Sequence, residues 1–223
     1  MLIMIQKSIA IIQDEFLNCL ITGNRKGCSV IVRQYLGENP SIKDLYEQVM
    51  KVALYKVGQL WEENKISPVT EHLATAIVEM ILNELYTELN VAESQNKRVV
   101  LACVENEFHQ VGIKMVGDVF EMNGWDSYFI GTSVPLKDLI NYLKEVKPNM
   151  LAISLSIYFN FQQLLKMISH LRHEFDNLNI VIGGQAFSRL NKSDVDELGD
   201  VRFFSNLYEL DIYLKKINVE AYD

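Results

Sequence analysis

The chain has 223 residues, 49% of them hydrophobic, which is enough for packed cores in one large domain or two small ones. Its formal charge is -8 with a pI near 5.1, and no run of five residues is dominated by Lys and Arg, so direct binding to nucleic acid or an anionic membrane is disfavoured. The apolar start MLIMIQKSIAII is interrupted by Gln6 and Lys7 and followed by Asp14 and Glu15, which fits neither a signal peptide nor a membrane span of roughly 20 residues and points to a cytoplasmic protein.

In chain order, the first ninety residues have helical periodicity. Ile9, Ile12, Phe16 and Leu20 mark a first helix, and Val30, Val32, Tyr35 and Leu36 a second, with Gly23 and Asn24 as the turn between them. Pro40 and Ser41 open a third helix, on which Leu45, Val49, Val52 and Leu60 alternate with polar residues. Ser67 and Pro68 start a fourth, from Val69 to about Val91, with Leu73, Ile77, Ile81 and Leu85 on one stripe. These form a four-helix bundle over residues 1–92, and the polar stretch from Ala92 to Lys97 is the linker to a second domain, 97–223.

From there short β-branched runs alternate with amphipathic segments. Strands are expected at 98–104, 127–131, 150–156 and 179–184, with a short one at 201–204. Helices are expected at 110–123, 135–146, 161–175 and 206–216, with a weak helical patch at 191–198. The fold class is therefore α/β, a Rossmann-like (flavodoxin-like) doubly wound parallel sheet behind the helical bundle. Such a sheet takes its ligand at the C-terminal ends of its strands.

The loop after the first strand reads Glu105-Asn106-Glu107-Phe108-His109-Gln110-Val111-Gly112. An imidazole two residues after a carboxylate that accepts its other N–H is arranged as a transition-metal ligand with an orienting partner. Alone this is weak, because a histidine in a strand-end loop is more often an ordinary polar residue. Cys19, Cys28 and Cys103 have no C-x-x-C spacing, which argues against a disulfide framework or a thiolate metal site and leaves them as small core residues.

Spacing supplies the support. Glu107-x-His109-x-x-Gly112 is followed by 41 residues and Ser154-x-Ser156, then by 26 residues and Gly183-Gly184. The pattern resembles the cobalamin-binding domain of methionine synthases, mutases and corrinoid proteins, whose signature runs D-x-H-x-x-G, S-x-L, G-G. The resemblance implies cobalamin with its dimethylbenzimidazole base off cobalt, His109 as the metal ligand, and a nucleotide-tail slot lined by Ser154, Ser156, Gly183 and Gly184. Two departures stand out: Glu107 replaces the usual Asp and lengthens its reach by one methylene, and Ser156 replaces the usual Leu.

The helical half resembles the cap that such proteins lay over the upper face of the corrin. Trp61 is followed by nine residues and Glu71-His72, a spacing similar to the cap motif of the light-sensing CarH-type repressors. That likeness implies an apolar wall from Trp61 and hydrogen bonds from Glu71 and His72 to an adenosyl group. It does not extend to their DNA-binding domain, because the cap helices begin almost at Met1. The expectation is an adenosylcobalamin-binding, light-responsive sensor, more a regulator than an enzyme, that acts through a protein partner or homo-oligomer contacts. The alternative is a corrinoid protein that carries a methyl group, as methylcobalamin, for a methyltransferase system. His170 and His173 are expected at the surface.

Overall fold

The computed structural model describes residues 2–38 and 41–219, and the chain divides into two compact units after Leu89. Every regular element described in the N-terminal unit is a helix: α1 (Leu2–Ile21), α2 (Arg25–Glu38), α3 (Ile42–Leu45), α4 (Lys51–Glu62) and α5 (Pro68–Leu85). A π turn, Tyr46–Met50, makes α3 and α4 one continuous rod, so four rods build the bundle. Of the residues expected to open this third rod, Pro40 lies outside the described residues; Ser41 caps α3 by accepting a 3.1 Å hydrogen bond from the Asp44 N–H. Ser67 does the same for α5, accepting from the Thr70 N–H at 3.2 Å, and Pro68 fills the first helical position, where no N–H is needed.

The bundle core contains Phe16, Leu20, Cys28, Val32, Tyr35, Leu45, Tyr46, Val49, Met50, Ala53, Val57, Ile77, Ile81 and Leu85. Three residues assigned to the apolar stripes by periodicity are exposed instead: Val30, Val52 and Leu73. Val52 follows the π turn, whose extra residue rotates the next face by about 100°, so that α4 buries Ala53 and Val57. On α5 the buried stripe runs Ala74, Ile77, Val78, Ile81, one position away from Leu73, and Val30 lies opposite Cys28 and Val32 on α2. The π turn is tied to α1 by the Gln13 side-chain amide, which donates to the Gln48 carbonyl at 2.5 Å.

The second unit alternates strand and helix. Its members are β1 (Lys97–Cys103), α6 (Val111–Met122), β2 (Trp125–Phe129), α7 (Leu136–Val146), β3 (Met150–Ser154), α8 (Phe161–Glu174), β4 (Asn179–Gly183), α9 (Lys192–Asp196), β5 (Arg202–Phe203) and α10 (Leu207–Val219). All strand pairs are parallel, in the order β2-β1-β3-β4-β5. This is the flavodoxin-like order, with its switch point between β1 and β3. β2 starts and ends two residues earlier than its β-branched pattern suggests, because Trp125 pairs with Lys97 at the very start of the ladder.

β1 and β3 are buried on both faces, as central parallel strands must be. Val100, Ala102, Leu151 and Ile153 pack with Leu139 and Leu143 of α7 and Leu164, Ile168 and Leu171 of α8. Opposite them, α6 and α10 pair, joined by a 2.9 Å hydrogen bond from the Asn123 amide to buried Asp211. Trp125 is buried there, edge-on to Phe120 at 5.3 Å between ring centroids. Among the described residues no helix is long and apolar enough to cross a membrane.

Candidate functional site

At the switch point, the register places Cys103 of β1, Ser154 of β3 and Gly183 of β4 side by side. Three motif elements far apart in sequence thus reach one edge of the sheet. β1 ends in a tight turn closed by the Glu107 N–H donating to the Val104 carbonyl at 2.9 Å, with Asn106 left-handed at φ 67°. Asn tolerates that conformation better than most residues. The turn sends the Glu107 side chain back into the protein, where it is 1% exposed.

Both Glu107 carboxylate oxygens are engaged. Oε1 lies 2.5 Å from His109 Nδ1 and accepts the His109 main-chain N–H at 3.2 Å. Oε2 accepts the main-chain N–H groups of Ser156 at 3.1 Å and Ile157 at 2.9 Å, both in the loop after β3. Burial by itself raises the Glu107 pKa, but the hydrogen bonds from the His109 ring and the Ile157 N–H, with the charge of His109, outweigh it and hold the carboxyl below its ordinary value. A carboxylate accepting at Nδ1 fixes the neutral ring as the Nδ1–H tautomer and puts the lone pair on Nε2, the arrangement a metal-ligating histidine requires. The His109 side chain is 49% exposed.

Ser154 is buried at the end of β3 and Ser156 is half-buried two residues on. Gly184 has φ 122°, and a Cβ there would lie 2.2 Å from the Leu155 carbonyl oxygen, so only glycine lets the β4 turn pass this close to the β3 loop. Gly112, in the first turn of α6, is exposed and has open space where a Cβ would stand.

Sequence reasoning did not single out three further features of this edge. The Ser156 and Ile157 amides bind Glu107 through the backbone, which leaves no trace in residue type. Glu105 accepts a 3.0 Å hydrogen bond from Gln163 of α8, a second tie between the two loops that polarity alone does not reveal. Cys103 donates from Sγ to the His109 carbonyl at 3.6 Å; burial, then the Glu107 charge, push its thiol up to about 12.

In the helical unit, Trp61 is in the last turn of α4 and 43% exposed. Glu71 is in the first turn of α5, where it accepts from Thr75 Oγ1 at 3.0 Å and lies 3.4 Å from His72 Nε2; the His72 side chain is 80% exposed. His170 and His173 are exposed on α8.

Comparison with known proteins assigns both units. A B12 binding domain family matches residues 97–204, and a second B12 binding domain family matches residues 12–86. Dimethylamine corrinoid protein 1 of Methanosarcina acetivorans is 27% identical over 178 residues, 77% of this chain and 82% of that protein. The HTH-type transcriptional repressor CarA of Myxococcus xanthus is 30% identical over 84 residues, 38% of this chain and 29% of the repressor. The monomethylamine corrinoid protein of Methanosarcina barkeri shares the fold, with a TM-score of 0.79 and 16% identity, over 93% of this chain and 99% of that one.

The strand-end edge fits a corrinoid on its own chemistry. It offers one nitrogen donor of fixed tautomer, small residues in the neighbouring turns, and a φ at Gly184 that only glycine adopts without strain. The chain therefore carries two B12 binding domains, a helical one matched over residues 12–86 and one on the parallel sheet matched over residues 97–204.

Proposed function

We propose that the protein is a corrinoid protein that carries a methyl group for a methyltransferase system, with His109 as the residue that would hold the cobalt. The coordination role rests on the buried Glu107 carboxylate that fixes the His109 tautomer at the switch point of the sheet. Support for methyl carriage comes from the extent of likeness: the 178 residues shared with the dimethylamine corrinoid protein exceed either unit and therefore span both, whereas the repressor likeness stops at 84 residues.

When bound, the corrin's cobalt supplies a centre that accepts and releases a methyl group. His109 would offer the Nε2 lone pair to the cobalt, and Glu107 would hold the ring in register and disperse the positive charge that coordination induces. Ser154 and Ser156 would offer hydroxyls to the nucleotide tail and Gly112 open space, while Gly183 and Gly184 would serve by letting the β4 turn pass close to the neighbouring backbone beside it. In this reading Trp61 would offer the cofactor an apolar surface, and Glu71 and His72 hydrogen-bonding groups.

A second reading, an adenosylcobalamin-binding and light-responsive regulator acting through a protein partner or self-association, is favoured by the Trp61 to Glu71-His72 spacing and by the repressor likeness. One reconstitution separates the two. The protein is loaded in darkness with methylcobalamin or adenosylcobalamin, and affinity, spectrum and methyl transfer by a methyltransferase are followed. Methyl carriage predicts turnover of the methyl form, no preference for the adenosyl form, and a His-on spectrum that His109→Ala abolishes while weakening binding about tenfold or more. Preference for the adenosyl form, with a change of oligomeric mass under green light, supports the regulator and overturns the carrier.

A further inference from the structure

The Glu107 side chain does more than face His109. Its two oxygens point to different loops: Oε1 to the β1 loop that carries His109, Oε2 to the β3 loop at Ser156 and Ile157, about fifty residues away in sequence. We propose that Glu107 is a positioning residue that ties these two loops into one unit through its full side-chain length, so that ordering the β3 loop orders His109. The link to cobalt rests on the corrinoid reading above; the tie between loops does not.

The chemistry of the two shortest departures from Glu makes the idea specific. An Asp carboxylate falls short by one methylene, about 1.5 Å. His109 is two residues away in the same loop and remains within reach, whereas the Ser156 and Ile157 amides do not. The substitution Glu107→Asp would therefore preserve the Nδ1–H tautomer and release the β3 loop.

Gln keeps the length and loses the charge. The β3 loop presents two fixed donors, the Ser156 and Ile157 N–H groups, against one on the His109 side, the His109 main-chain N–H, beside a ring nitrogen that can change tautomer; the Gln carbonyl oxygen therefore turns to the β3 loop and the NH2 faces His109, with the His109 main-chain hydrogen bond lost. His109 Nδ1 must then accept, which moves the ring proton to Nε2 and removes the lone pair a metal needs. Gln preserves the tie and spoils the ligand. A carboxylate that merely stabilised the fold would give the same losses in both variants.

The test uses the full chain as wild type, Glu107→Asp and Glu107→Gln, each first shown to be folded by circular dichroism. Without cofactor, amide hydrogen exchange at Ser156 and Ile157 is expected to be faster by roughly tenfold or more in Glu107→Asp and near wild type in Glu107→Gln. With cob(II)alamin as the probe and 15N-labelled protein, the two-line axial splitting from a protein nitrogen in the electron paramagnetic resonance spectrum should persist in Glu107→Asp and be absent in Glu107→Gln, where at most the three-line splitting of the cofactor's own base remains. Unchanged Ile157 exchange in a folded Glu107→Asp, or identical losses in both variants, overturns the tie. If wild type binds no cob(II)alamin, the corrinoid reading fails, and the exchange pattern still decides the tie.

Discussion

Glu107 contributes a pH-dependent share of stability whose sign follows from its environment. Its carboxyl is held below the ordinary 4.5 when folded, so the native chain binds that proton less tightly than the unfolded chain. The contribution is fully present above about pH 4.5 and is lost as pH falls through the lower native value. Urea titrations of wild type and Glu107→Gln should therefore converge as pH drops below 4.5, and a gap that widens there would contradict the assignment. The thiols make a second residue-scale prediction. Burial, with the neighbouring Cys19, pushes Cys28 up to about 12, and Cys103 reaches about 12 as well, so at pH 8 roughly one thiol in ten thousand is thiolate. Both should resist alkylation in the native protein and react promptly after denaturation.

Among the elements, the connections carry the sharpest constraints. Replacing Gly184 by Ala adds a Cβ 2.2 Å from the Leu155 carbonyl oxygen at a φ of 122°, and the three nearest atoms all belong to the Leu155 backbone, so no side chain can swing away. The expected cost is at least about 2 kcal/mol, read from chemical denaturation followed by far-ultraviolet circular dichroism. Ser67→Ala removes the cap of α5 and should cost about 1 kcal/mol, with Ser67→Asp restoring most of it. Element type was legible in the sequence wherever apolar periodicity was strong: each anticipated strand and helix of the sheet unit is present, and the 41- and 26-residue spacings around Ser154 and Ser156 become one row across the strand ends. The π turn was not legible, because its sequence Tyr46–Met50 is ordinary helix-forming material and the phase shift shows only in which later residues are buried. At the site, side-chain identity exposed Glu107 and His109, but the partners of the second Glu107 oxygen are main-chain amides, which any residue type supplies.

At the scale of the whole molecule, two units with separate cores suggest separable folding. A fragment of residues 90–223 holds all five strands, the helices on both faces and the Glu107 network, and is expected to give a dispersed amide spectrum and a cooperative melt on its own. A featureless spectrum would show that the sheet unit depends on the helical one. Each unit also owns one of the two tryptophans, in contrasting surroundings: Trp61 is 43% exposed at the end of α4, and Trp125 is packed edge-on to Phe120. The chain consequently carries two built-in fluorophores of different colour, a red-shifted, quencher-accessible one for the helices and a blue-shifted, shielded one for the sheet. With Trp61→Phe, the remaining emission reports on the sheet unit alone, and each half of the protein can be watched without an added dye.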